Sequence, residues 1–592
     1  MNIESATFGE TVRSMACRLV ATLVLAFGPA AGLADGPDEP GPRSGQQTFP
    51  VTIHVHASRT RGEMRSVWRF FGHDEPNYTY MKDGKKLLSQ LADLSPQPVY
   101  IRTHNLLTSG DGTPALKWGS TGVYSEDADG NPKYDWTILD RIFDTYRECG
   151  VRPYVQIGFM PEALSTRPVP YQHSWTPGGR NSISTGWAYP PRDDKKWAEL
   201  VYQWVRHAVD RYGRSEVETW YWEVWNEPNI LYWRGTPEQY HALYDHAADA
   251  VKRALPTARV GGPHVAGPRS PGGMKFLKDF LDHCLQGTNH ATGKKGSPLD
   301  FIAFHAKGDP RFVDGHVRTG IGSQLQDIDR GFATVASYPE LKNKPIVIGE
   351  SDPDGCAACP SSVYPQNGYR NGTLYASYTA AAFARKYELA EKHGVNFEGA
   401  VTWAFEFEGQ PYFAGFRVLS TNGIALPVLN VFRMFGLMRG SRLAVESTGA
   451  VGLEAIRAGG VRGKADVSAL ASRAGRKLWV LVWHHHDDDV PGPSADVELS
   501  LAGLPAGIGP TLLEHYRIDR DHGNAFEAWK RMGSPQQPTP EQYAALERSS
   551  DLALLGSPRW LHPEGGKLTL RLNLPRQAVS LLVLDWEVAK PN

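Results

Sequence analysis

The sequence predicts an α/β fold: a (β/α)8 TIM barrel with an accessory all-β sandwich domain. Three observations lead there. From about Val67 to Leu437, short apolar runs alternate with amphipathic helical patterns, the rhythm of successive βα units. Two of those runs stop at a carboxyl group: Tyr221-Trp222-Glu223-Val224-Trp225 leads into Asn226-Glu227-Pro228-Asn229, and Lys344-Pro345-Ile346-Val347-Ile348 leads into Gly349-Glu350-Ser351. From about residue 440 the rhythm changes to short strands separated by turn residues, the pattern of a sandwich. A length of 592 residues suits a barrel of about 250 or more residues plus a second domain.

The elements follow in order. Phe49 to Ala57 alternates as a strand through Val51, Ile53 and Val55, and segment 49–66 is expected to join the sheet of the second domain. The barrel, 67–438, starts with a strand near Val67 to Phe71. Further strands are expected over 98–102, 152–158, 218–224, 258–261, 299–304, 345–349 and 397–403. Helices are expected between them over 79–93, 136–148, 194–212, 237–253, 273–286, 322–337 and 372–393, with 426–437 closing the barrel. Helix 136–148 carries Ile138, Leu139, Ile142, Phe143 and Tyr146 on one face, and Gly150 stops it. The sandwich spans 439–592, with strands at Leu478–Trp483, Lys567–Leu574 and Ala578–Trp586. A polar, Pro-rich insertion over 515–550 interrupts it and is a candidate for the wall of the barrel mouth.

Composition narrows the function. Net charge is −1 and the isoelectric point about 7.1, which favours neither nucleic-acid nor membrane-surface binding. The 17 Trp suit sugar stacking, although most Trp in a barrel belong to its core. Residues 1–34 read as an export signal: Arg13 and Arg18 precede the apolar run Leu19 to Phe27, and Gly32-Leu33-Ala34 offers small residues for cleavage. That run is too short to span a bilayer. Gly, Pro, Asp and Ser make 35–48 a flexible lead, and a secreted or periplasmic location is expected. Cys356 and Cys359 lack the second pair a zinc site needs and sit in a loop after Asp-Pro-Asp-Gly. A local disulfide is the preferred reading, with free thiols the alternative. Cys149 and Cys284 are expected as buried small hydrophobes. His484-His485-His486-Asp487-Asp488-Asp489 reads as a solvated strand end, because consecutive strand residues point to opposite faces and ligate poorly together.

The two carboxyl-ended runs carry the chemistry. Pro228 cannot donate to a ladder, so Asn226 and Glu227 sit at a strand's carboxyl end, the face where parallel barrels place their active sites. Trp222, Trp225 and Trp233 are expected to wall Glu227, desolvating it and raising its pKa as a general acid requires. Enough chain separates Glu227 from Glu350 for about three βα units of ~40 residues each, so barrel closure brings the two tips together. Two carboxylates on one sugar suit glycoside hydrolysis. Glu223, four residues before Glu227, is expected deeper in the barrel.

These two segments, with Arg102-Thr103-His104-Asn105, Phe159-Met160-Pro161-Glu162-Ala163-Leu164, Phe304-His305 and Thr402-Trp403-Ala404-Phe405, resemble glycoside hydrolase family 39. This clan-A group includes β-xylosidases and α-L-iduronidases, and the resemblance runs from about residue 50 to the end. It implies Glu227 as acid/base, Glu350 as nucleophile, and sugar contacts from His104, Asn226, His305 and a Trp403 platform. Glu406 and Glu408 are further candidates for sugar hydroxyls, and Glu162 for either a contact or a structural role. No metal, nucleotide or other cofactor is needed. The expected partner is an oligosaccharide, with a homo-oligomer open. The leading expectation is an exo-acting retaining β-xylosidase on xylo-oligosaccharides. An α-L-arabinopyranoside, an α-L-iduronide or an exopolysaccharide are alternative substrates. An iduronide would need a cation for its carboxylate, with Arg234 and Lys307 to test. An endo-acting glycanase, or an exported, inactive carbohydrate-binding barrel, completes the alternatives.

Overall fold

In the computed structural model, eight short strands close into a parallel barrel: Phe70–His73, Tyr100–Thr103, Arg152–Ile157, Tyr221–Val224, Arg259–Ala266, Phe301–His305, Ile346–Glu350 and Phe397–Trp403. The structure describes residues 47–588 apart from 173–174, 180–182, 404–405 and 506. The expected signal segment, nearly all of the lead and Ala404-Phe405 lie outside the described residues. Among the described residues, no helix is long and apolar enough to cross a membrane.

Almost every barrel-strand residue is buried, because helices cover one face and the barrel interior the other. Inward side chains stack in layers along the axis. The lowest is aromatic: Phe70 lies 5.2 Å from Tyr100, and Tyr221 lies 5.0–5.2 Å from Tyr100, Tyr154 and Phe301, measured between ring centroids. Room for Phe70 comes from Gly399, where a Cβ would fall 2.2 Å from its ring. Two residues further along the strands the interior becomes charged. Arg102 on the second strand bonds Glu223 on the fourth, which only the interior permits. The third layer holds the carboxyl tips. Outside, helices run over Lys82–Ala92, Thr137–Glu148, Asp194–Tyr212, Pro237–Ala254, Pro271–Gln286, Ile321–Ala336, Thr373–His393 and Pro427–Leu437. Their starts follow local chemistry: Thr236 and Gln239 form a reciprocal capping box, and the Asp193 carboxylate accepts from the Lys195 and Lys196 amides.

The strand Thr48–Glu63 leaves the barrel altogether. It pairs antiparallel with Ser441–Ser447 and parallel with Ser494–Ala502. The two faces expected of a sandwich are joined as ten strands in one hydrogen-bonded sheet, around a core that includes Val51, Val480, Val497, Leu570 and Leu582. Alternation along Lys477–His485 ties this sheet to the barrel. Leu478, Val480 and Val482 face the second core, while Trp479, Leu481 and Trp483 join the barrel's apolar cluster. Asp466 closes the join, accepting from Arg385 on helix Thr373–His393 at 3.1 Å and from the Trp483 indole at 2.9 Å.

Two expectations are corrected here. His484, His485, His486 and Asp487 are buried, not solvated, because the barrel closes over the strand end. His485 Nδ1 lies 3.2 Å from Ser377 Oγ, and Asp487 accepts from the Thr319 hydroxyl at 2.7 Å. The insertion forms helices Ala525–Arg531 and Pro540–Ser550. They brace the loop after the last barrel strand, with Phe526 and Trp529 against Phe413 and the Tyr543 hydroxyl donating to the Asn422 carbonyl. Cys356 and Cys359 are joined in a disulfide, and Cys149 and Cys284 are buried free thiols.

Asp466→Ala leaves the Arg385 guanidinium buried at this join. A loss of about 3–5 kcal/mol is expected, read as a lower urea midpoint, whereas Arg385→Met/Asp466→Leu together should lose far less.

Candidate active site

Glu227 and Glu350 meet over the carboxyl ends of the barrel strands. The fourth strand stops at Val224, and the chain turns through Trp225 and Glu227 at φ +70° and +46°. These left-handed conformations aim Glu227 across the barrel mouth. Glu350 is the last residue of the seventh strand. Lys307 bridges the pair: its Nζ lies 2.6 Å from Glu227 Oε1 and 2.7 Å from Glu350 Oε2. His305 Nδ1 lies 2.9 Å from Glu227 Oε1 and 3.7 Å from Glu350 Oε1. Glu227, His305 and Glu350 form the one group of potential metal ligands among the described residues, each with an atom within 4.8 Å of the others. The Lys307 ammonium supplies the cation between the two carboxylates.

The electrostatics differ from the expectation. Trp222 packs outward against Trp204, and Trp225 packs against Phe159 and Trp233, so these rings do not isolate Glu227 in an apolar wall. Burial does push the Glu227 carboxyl up. The Lys307 ammonium and the His305 hydrogen bond outweigh it and hold the carboxyl at about 2. Burial likewise pushes Glu350 up, but Lys307, His305, Arg102 and Arg417 together hold it well below the usual range.

Glu350 is the most heavily supported group in the site. Arg102 Nη1 lies 3.2 Å from it, and Arg102 also donates to Asn226 Oδ1 at 2.8 Å. His104 is oriented by Asp74, 2.7 Å from its Nδ1, while its Nε2 has no hydrogen-bond partner among the described residues and faces Glu350 at 3.7 Å. Arg417 comes from the loop after the eighth strand, with Nη2 3.8 Å from Glu350 and Nη1 3.6 Å from Asp352. The cavity over these groups measures about 480 Å³. Its walls come from the ends of seven strands, through Asp74, His104, Glu227, Tyr232, Arg269 and Lys307 among others.

Residues 51–559 match the family described as glycosyl hydrolases family 39. The chain belongs to that family. Mouse α-L-iduronidase is 28% identical over 583 residues, covering 92% of this chain and 82% of the relative. The β-xylosidase of Geobacillus stearothermophilus is 26% identical over 503 residues, covering 82% and 86%. A solved bacterial orthologue of human α-L-iduronidase superposes with a TM-score of 0.71 at 21% identity, over 92% of this chain and 85% of the other, a likeness of fold. The chain is therefore a glycoside hydrolase.

Within this family 39 site, the residues singled out from sequence divide. Glu227, Glu350, His104 and His305 line the cavity. Asn226 lies beneath it on Arg102. Trp403 is fully buried and is not a bare platform, because the Arg417 and Arg102 guanidinium carbons lie 4.9 and 5.7 Å from its ring centroid. Glu406 and Glu408 do not reach the cavity. Glu406 accepts from the Ser420 hydroxyl and the Asn422 amide, with burial pushing it up to about 7, and Glu408 accepts from the Asp83 amide. Both tie loops together. Glu162 and Arg234 are exposed and outside the cavity, whereas Lys307 is at its centre. Sequence reasoning missed Arg417, Asp74, Tyr232 and His264. Only His264, beside a strand-end Gly-Pro, carried any local signal.

Because Glu227 is depressed from its ordinary range to about 2, its pairing stabilises the fold fully above that range and the contribution is lost as pH falls toward 2. Lys307→Met removes this contribution. The melting-temperature gap between wild type and Lys307→Met is expected to be widest near about pH 7 and to narrow toward about pH 3.

Proposed function

We propose that this family 39 enzyme is an exo-acting, retaining glycosidase whose substrate sugar carries a carboxylate, an α-L-iduronide or a close uronide. The observation that carries the substrate is Lys307. An ammonium on Glu227 opposes the protonated state that an acid needs, so its place is costly for a neutral sugar. A substrate carboxylate drawing Lys307 toward itself removes that opposition, and the Glu227 pKa rises as the complex forms. Arg417, on the far side of Glu350, offers a second cation of matching charge.

In this reading Glu350 attacks the anomeric carbon as Glu227 gives its proton to the leaving oxygen, and a glycosyl ester forms on Glu350. Glu227, now a carboxylate, takes a proton from water, whose oxygen displaces Glu350 and frees the sugar with retained configuration. The approach of the two carboxylates to within 4.8 Å at their nearest ligand atoms favours this course, since retaining pairs lie about 5–5.5 Å apart and inverting pairs about 6.5–9.5 Å. His104 Nε2, without a hydrogen-bond partner among the described residues, is available to a sugar hydroxyl. The segment ahead of residue 35 supports an exported enzyme. A second reading, a β-xylosidase, draws on the likeness to curated β-xylosidases.

Aryl α-L-iduronide, β-D-xyloside and α-L-arabinopyranoside separate the substrates. Release is expected from the iduronide, abolished by Glu350→Ala. Lys307→Met should lower kcat/KM about 10- to 150-fold, the equivalent of the ~1.5–3 kcal/mol of a charge-assisted hydrogen bond. Release from the xyloside with the iduronide inert would replace the substrate and keep the mechanism.

A further inference from the structure

Behind Glu227 runs a chain of buried groups that the two-carboxylate mechanism does not use. His305 Nδ1 lies 2.9 Å from Glu227 Oε1, and His305 Nε2 lies 3.1 Å from His264 Nδ1. His264 Nε2 is paired with Glu223 Oε2. The Glu223 carboxylate is in turn gripped by Arg102 Nε, 2.9 and 3.0 Å from its two oxygens. Tyr154 also faces the inner end, its hydroxyl 3.2 Å from His264 Nε2. At the outer end Glu227 faces Lys307, Glu350 and the Tyr232 ring as well as His305. We propose that His264 and Glu223 are positioning residues that act through His305 to keep a proton on Glu227 for the acid step.

The argument is a count of hydrogens. Three contacts, Glu227–His305, His305–His264 and His264–Glu223, each need one. Two neutral imidazoles supply two, one per ring. The third must come from a carboxylic acid at one end or from an imidazolium between. Burial pushes both imidazoles below their usual range, His264 to about 3, so neither holds an extra proton. Burial raises Glu223, but Arg102 and then His264 outweigh it and hold Glu223 at about 2, so the inner end is ionised. Glu227 is likewise held at about 2 while Lys307 sits on it, so the third hydrogen belongs at the outer end only once a substrate anion engages Lys307. All bonds then run inward: Glu227 O–H to His305 Nδ1, His305 Nε2–H to His264 Nδ1, and His264 Nε2–H to Glu223. Lys307, on the same Oε1, pulls the other way until a substrate anion engages it.

Two further features fit a built chain. His264 is held at φ +55°, and its carbonyl accepts from the Glu227 amide at 3.1 Å, so one residue fixes both the acid's backbone and its imidazole partner. Gly349 keeps the space open: a Cβ there would lie 2.3 Å from His264 Nδ1 and 2.9 Å from His305 Nε2.

The proposal rests on Glu227 being the acid, and its test separates the two. Wild type, His264→Phe, His264→Gln and Glu350→Ala are assayed on two aryl glycosides of whichever sugar wild type releases, one with 2,4-dinitrophenol and one with phenol as leaving group. General acid catalysis contributes about 10²–10⁴-fold, and an activated phenol does not need it. His264→Phe is expected to lose on that order in kcat/KM with phenol and only a few-fold with dinitrophenol, and its basic pH limb should move to lower pH. His264→Gln, which keeps a donor and an acceptor in the slot, should lose less, still on the poor leaving group, and carries the test if the Phe variant does not fold. Equal losses on both leaving groups with an unmoved pH limb would reduce His264 to packing and overturn the proposal. Undiminished turnover in Glu350→Ala would instead overturn the two-carboxylate reading beneath it.

Discussion

Arg102 is the group on which the rest of the site depends. It lies on the barrel axis, wholly buried, and its guanidinium binds Glu223, Asn226 and Glu350 at once. A buried cation of this kind is tolerable only when its donors are answered, and the same holds for the carboxylates it meets. Removing any member would leave the others as uncompensated charge. The planar fork of arginine suits this node, because its donors reach three partners from one fixed plane. Around the node the aromatic layer below excludes water, which strengthens every charge interaction above it. Glu227 and Glu350 thus stand on a charged layer that is itself seated on an aromatic one.

The two carboxylates share Lys307 yet face different surroundings. Glu350 has Arg102 and Arg417 besides Lys307, so it stays ionised whatever Lys307 does. Glu227 has Lys307 alone as a direct cation, with neutral His305 against the same carboxylate oxygen. Movement of one ammonium therefore changes Glu227 far more than Glu350. That asymmetry suits the two different roles proposed for the pair.

Much of this was legible in the sequence. The barrel strands were found because both their faces are buried, which leaves continuous apolar runs such as Ile346-Val347-Ile348. Glu227 and Glu350 were legible because Pro228 and Gly349 mark strand ends. What escaped depends on distant partners. The acidity of Glu227 is set by Lys307, 80 residues away, and no local pattern reports it. Arg417 lies in a loop without periodicity, well past the last strand. The histidine run at 484–486 was misjudged because its burial comes from the barrel, which neither its composition nor its alternation encodes. Glu406 and Glu408 had the chemistry of sugar ligands, but their acceptors were already committed to backbone and side-chain donors across the loop.

That loop links the second domain to the cavity. Arg417 has to reach over Trp403 to lie near Glu350, and nothing in its own segment, which lacks regular helix, would hold it there. Glu406 ties the loop's base through Ser420 and Asn422, and Glu408 fastens it to the helix Lys82–Ala92 through Asp83. Phe413 is clamped by Phe526 and Trp529, and Tyr543 fixes Asn422 from the same insertion. Arg417 itself donates to the Asp354 carbonyl, two residues before the Cys356–Cys359 bridge. A guanidinium beside Glu350 keeps its geometry only if the loop that carries it is itself held in place. The insertion in the sheet domain thus braces the loop that carries Arg417, through Phe413 and Asn422.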